Sequence, residues 1–222
     1  LNSPAPAPVQ PATRAFTLLE LMVVIGIIAI ALSFLVPALA PATARSLEGS
    51  ARLFTAELEN ARQIAIAERT KTRVLIPDKN PTGDAFGANV SDLALRSFTT
   101  VSFNKTAATP SWKQRGKWTR LPQPATFDPA ITVLPEEQNL IDARKEDDTV
   151  VDNSGSGAAQ TFTGAYVEFL PNGSTSLNPT SPKAVLVLAD GIPDGNGNMT
   201  AKNNALRYRI VIDPLTGSAL AK

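Results

Sequence analysis

The chain has 222 residues, 43% of them hydrophobic and 18% charged, with a formal net charge of +1. That length accommodates one membrane helix and one soluble domain, and the near-zero charge means that any binding to nucleic acid or lipid headgroups must be local. Cysteine and histidine are both absent, which excludes disulfide staples, thiolate metal sites, Ser-His and Cys-His hydrolases and most zinc enzymes.

From Leu21 to Ala40 the only interruptions of an apolar run are Gly26, Ser33 and Pro37. A hydrocarbon core of about 30 Å calls for about 20 such residues. Glu20 lies within the apolar stretch that begins at Phe16; a carboxylate there is costly and is usually kept because something positive meets it, the alternative being a Glu resting at the headgroup level. A cleavable secretory signal would have a shorter core, cut after a site such as Ala38-Leu39-Ala40; the length of the run, Glu20 and the scarcity of preceding basic residues oppose that reading. Charge does not orient the span, since Arg14 precedes it and Arg45 and Arg52 follow it closely.

The string Phe16-Thr17-Leu18-Leu19-Glu20 resembles the class III signal of type IV pilins and pseudopilins, in which a short leader is cut before a Phe, the new amine is methylated, and a Glu occupies the fifth mature position. The resemblance implies cleavage between Ala15 and Phe16 by prepilin peptidase and N-methylation of Phe16. It also implies an assembly contact from Glu20 to the Phe16 ammonium of a neighbouring subunit, strong in low dielectric when both partners are present. Ala15 departs from the usual Gly while keeping a small side chain. Pro37 stands where many pilins of this family carry a proline, and with Pro41 it predicts a helix bend near the membrane exit.

Leu47, Ala51, Phe54, Leu58, Ala61 and Ala65 form one apolar stripe at alternating spacings of four and three, so the helix continues to about Arg69 and reaches roughly 80 Å in all. After Thr70 the pattern shifts to short runs divided by Pro, Gly, Asn and Asp. Strands are predicted at Arg73–Ile76, Leu95–Phe103, Trp118–Leu121, Ala165–Leu170, Ala184–Ala189 and Leu206–Ile212, with a last one near Ser218–Leu220. Pro171-Asn172-Gly173-Ser174 and Asp213-Pro214-Leu215-Thr216-Gly217 read as turns. Pro77–Asn89 and Pro135–Gly164 lack periodicity and read as long surface loops.

Helix first and strands after is also the order of H-type minor pseudopilins and FimT-like minor pilins. The resemblance rests on Leu58-x-x-Ala61-Arg62-x-x-Ala65, on Phe169-Leu170-Pro171-Asn172-Gly173 and on Ile212-Asp213-Pro214-x-Thr216-Gly217; it does not extend to 77–159. The expected fold is therefore α+β: a long N-terminal helix, its first half transmembrane, packed on a mostly antiparallel β domain in the manner of pilins. The divisions are a leader at 1–15, a transmembrane and filament-core half at 16–40, an amphipathic half at 41–71, and a periplasmic β-rich domain at 72–222. The implied function is that of a minor structural subunit of a type II secretion pseudopilus in the bacterial inner membrane, crossing once, with prepilin peptidase, other pilin-like subunits and the assembly platform as partners and with no cofactor, metal or catalytic residue. The alternatives are a minor type IV pilin serving pilus assembly or DNA uptake and a membrane-anchored periplasmic enzyme; for the latter, no convincing Ser-x-x-Lys motif is present.

Trp112, Lys113, Arg115 and Lys117 are the candidate DNA contacts, since cations meet phosphates and an indole can stack on a base. The structural alternative is a hairpin turning at Gly116 with Trp118 in the core. Arg207 and Arg209 alternate with apolar neighbours and mark the solvent side of a strand. Asp190–Asn198 is rich in oxygen ligands, but from Asp194 an EF-hand would need Gly where Met199 stands and Glu where Ala205 stands, so it reads as a flexible turn. Asp142–Asp148 reads as a solvated loop.

Overall fold

A computed structural model of the protein describes residues 18–38, 42–78, 93–105, 111–130, 137–140, 145–151, 159–177, 183–194 and 198–222, with side chains described in all of these except 31–38, 42, 145–151, 159–163 and 203–205. The chain divides into two units, residues 1–42 and 43–222.

The first unit contains α1 (Leu18–Ala38). Its large apolar side chains from Leu18 to Ile30 are exposed by 43% to 77%, and they lie on every side of the helix. Such a helix has no polar face to turn toward water. Among the described residues no helix is long and apolar enough to cross a membrane. Residues 39–41, where the expected single long helix would continue, lie outside the described residues.

α2 (Ala42–Glu68), all but its first residue in the second unit, has no proline in its 27 residues. The predicted stripe of Leu47, Ala51, Phe54, Leu58, Ala61 and Ala65 is entirely buried. Glu48 and Arg52, one turn apart at 2.6 Å, support the outer face. The helix closes with two bonds of a Schellman motif, Thr70 N–H to Ala65 C=O at 3.2 Å and Arg69 N–H to Ile66 C=O at 3.4 Å. Arg69 takes the left-handed position with φ of 52°, where Gly is usual.

The strands begin, in chain order, with β1 (Thr72–Pro77), β2 (Ser97–Asn104), β3 (Ser111–Gln114), β4 (Thr119–Arg120), β5 (Ala125–Phe127) and β6 (Glu137–Asn139). They continue with β7 (Lys145–Val151), β8 (Ala159–Phe169), β9 (Lys183–Pro193), β10 (Met199–Ile212) and β11 (Ala219–Ala221). In the first sheet β1 pairs antiparallel with both β2 and β8, β3 pairs with β2, and β7 joins β3 in parallel to β8 in antiparallel. These pairings close a ring, β1-β2-β3-β7-β8. The second sheet runs β11-β10-β9-β5, with β6 also paired to β9. An α+β architecture dominated by antiparallel pairing is thus observed, as expected.

Both sheets bury one face against the α2 stripe. Val74, Ile76, Val167 and Phe169 come from the ring, and Leu186, Leu188, Ile210 and Ile212 from the second sheet. Phe54 sits between Phe98 and Phe127 at ring distances of 5.1 and 5.0 Å, both edge-on. Strand alternation sends Leu75, Val101 and Tyr166 to the opposite face of the ring sheet, where they form a second cluster with Trp112 and Trp118.

Four expectations are corrected. β6, β7 and the start of β8 occupy much of the stretch predicted as a loop at 135–164; Glu146-Asp147-Asp148 interrupt any apolar alternation, and backbone pairing with β8 builds the strand regardless. The segment around Gly116 is not a hairpin. β3 and β4 both lie along β2, and five steps from Gln114 to Thr119 match three from Val101 to Phe98, a bulge of two residues. The oxygen-rich stretch 190–198 is not all turn: β9 runs to Pro193, the Asp194 N–H donates to the Asn198 carbonyl at 3.0 Å, and residues 195–197 lie outside the described residues. Finally, Arg207 and Arg209 do not simply face solvent: Arg207 pairs with buried Asp128 at 3.3 Å and Arg209 pairs with Glu137 of β6.

Candidate functional site

Ala15 and Phe16 lie outside the described residues. Glu20 is exposed in the first turn of α1, where the helix dipole favours a carboxylate. Pro37 is the next-to-last residue of α1. The exposed surface of Leu21, Val24, Ile25 and Ile28 around this carboxylate suits burial in lipid or against like helices better than contact with water.

In the second unit, three motifs scattered along the sequence meet at one point. Arg62, from the helix motif, donates from Nε to the Gly173 carbonyl at 3.1 Å, and from Nη1 to Glu59 at 3.1 Å. Gly173 closes the first predicted turn with φ of 84°, and Gly217 closes the second with φ of 67°. A Cβ on Gly217 would stand 2.4 Å from the Gly173 oxygen and 3.3 Å from both Arg62 Cδ and Phe169 Cδ1. Only glycine satisfies both the backbone conformation and this approach. The Thr175 N–H and hydroxyl each reach the Pro214 carbonyl at 3.0 Å, joining the two turns directly. Asp213 accepts from the backbone of Thr216 and Leu215, and the Thr216 bond above all holds its carboxyl below the usual range.

The aromatic and basic segment is largely engaged in structure. Arg73 lies between the rings of Trp112 and Tyr166, 4.1 Å from each centroid, while its Nε donates to Glu168 at 2.8 Å. Arg115 pairs with Glu68 at the end of α2 and donates to Ser102 Oγ at 2.5 Å. Lys113 and Lys117 are exposed. Of the four candidate DNA contacts, Trp112 therefore has Arg73 on its face and Arg115 has an acidic partner. The roles of Arg62 and Arg73 were not apparent from spacing, because each depends on residues about a hundred positions away.

The protein is an α+β chain with an apolar N-terminal helix. Its residues 11–36 match the family model described as the prokaryotic N-terminal methylation motif, a span that includes the expected cut and Glu20. No curated protein matches the chain. Among solved structures, the minor pseudopilin EpsH from the type 2 secretion system of Vibrio cholerae is similar, at 14% identity over 79% of this chain and 94% of that one, with a TM-score of 0.40.

Proposed function

We propose that this chain is a minor pilin-like structural subunit of a type II secretion pseudopilus. The observation that carries the reading is the methylation motif across residues 11–36, supported by the exposed apolar side chains that α1 carries on all sides from Leu18 to Ile30, with Glu20 among them. Residues 1–15 form the leader, prepilin peptidase cuts between Ala15 and Phe16, and the Phe16 amine is methylated. Residues 16–40 cross the inner membrane and enter the filament core, bending near Pro37. Residues 41–71 pass into the periplasm, and the β-rich domain of 72–222 meets other subunits there. Assembly at the inner-membrane platform pairs Glu20 with the Phe16 ammonium of a neighbour, and the role is non-catalytic.

The intact mass of protein purified from membranes tests the reading. A species beginning at Phe16 and heavier by one methyl group is expected. An uncut chain, or a cut after Ala40, would refute it.

A further inference from the structure

The Schellman end of α2, together with β2 and β3, encloses a surface cavity of about 360 Å³ whose lining includes Glu68, Arg69, Lys105, Lys113 and Arg115. Arg115 neutralises Glu68 across the rim. Arg69, Lys105 and Lys113 remain, all exposed and in no ion pair among the described residues. Three cations without counter-charge around one concavity repel one another, so the cavity favours an anion.

We propose that this cavity is a binding site for a single phosphoryl group, carried by a soluble phosphate ester or by a lipid headgroup. Multiplicity of charge favours phosphate over carboxylate: one arginine satisfies a carboxylate, whereas a phosphate monoester carries a charge near −2 and three acceptor oxygens. The volume suits a small ligand. A nucleic-acid strand is the poorer fit, because the adjacent Trp112 ring carries Arg73 at 4.1 Å and Phe103 at 5.2 Å in place of an open stacking face. Arg69 supplies its cation from a left-handed position that glycine would occupy with less strain. That contrast separates binding from stability.

The test uses the full chain, isotopically labelled in detergent micelles, with inorganic phosphate as the probe and the backbone amides of Thr70, Asn104 and Lys113 as reporters. Saturable shifts at millimolar phosphate are expected, weakening as salt rises. Lys105→Ala with Lys113→Ala should weaken binding about tenfold, on the order of two screened charge contacts. Arg69→Gly should weaken binding while raising the melting temperature, which shows that a loss of affinity is not a loss of fold. Glycerol 3-phosphate binding in micelles supports a soluble source. The same shifts appearing only in nanodiscs with phosphatidic acid, compared with phosphatidylcholine alone, support a headgroup. The proposal is overturned by the absence of saturation below about 50 mM phosphate, by an unchanged titration in the double variant, or by equal or tighter binding of a short Asp/Glu peptide.

Discussion

Replacing Gly217 with alanine tests the junction where α2 holds the two turns. The residue has φ of 67°, and its new Cβ would stand 2.4 Å from the Gly173 carbonyl oxygen. The left-handed conformation alone costs alanine about 1 kcal/mol. Relieving the contact moves one turn away from the other and loosens the 3.1 Å bond from Arg62 to that same oxygen, a charged hydrogen bond of about 1.5–3 kcal/mol. The expected loss is about 3 kcal/mol, a large share of the roughly 5–15 kcal/mol that holds a domain folded. At about 2–4 °C per kcal/mol, the melting temperature should fall by about 6–12 °C. Thermal unfolding of the detergent-solubilised full chain, followed by far-ultraviolet circular dichroism, measures this. Gly116→Ala is the control, since its Cβ meets nothing within 4 Å. If both variants melt within about 2 °C of the parent, the junction does not hold the fold as argued.

Four further outcomes are expected. Glu168→Ala removes the 2.8 Å partner of the largely buried Arg73 and the 3.4 Å partner of Lys71 and should cost about 3 kcal/mol, most of it recovered when Arg73→Met is combined with Glu168→Leu, as denaturant titration would show. Arg69→Gly should stabilise the chain by about 1 kcal/mol, and a lower midpoint would contradict the left-handed assignment. Asp213 has a lowered folded pKa, led by the backbone bond from Thr216, so its contribution is present above the ordinary carboxylate range and disappears as pH falls through the lowered value. Asp213→Asn should therefore melt below the parent at neutral pH, with the gap closing in acid; a gap independent of pH would refute the linkage. Glu20→Ala should leave the intact mass of the processed chain otherwise unchanged and abolish its recovery in sheared filaments, whereas undiminished recovery would remove the assembly role.

What the sequence revealed depends on where the physical constraint lies. The α2 stripe was legible because one helix face is buried along its whole length, and that imposes the spacing of Leu47 through Ala65. The alternation from Tyr166 to Phe169 was legible because the two faces of β8 enter different clusters. The turns at Gly173 and Gly217 announced themselves through residues that positive φ demands. β7 was hidden because it is recruited by neighbours on both sides, and a strand held by backbone pairing need not display a pattern. Trp112 and Arg115 read as candidate DNA contacts because their partners, Arg73 and Glu68, are remote in sequence and invisible to local spacing. The N-terminal signal is a contiguous string, which is why it was the most readable part of the candidate site.

Ring closure through β1 has a consequence for crowding. A sheet that ends on an unpaired strand offers its backbone to any neighbour that can extend it. β1 is engaged on both sides, by β2 and by β8, and so offers no such edge itself. On the second sheet the three-residue β11 covers only Ile210, Val211 and Ile212 of β10, and the rest of that strand's outer side has no strand along it among the described residues. Held at high local concentration beside similar domains, this fold would keep the hydrogen bonds of β1 to itself, while the outer edge of β10 stays able to take a neighbouring strand.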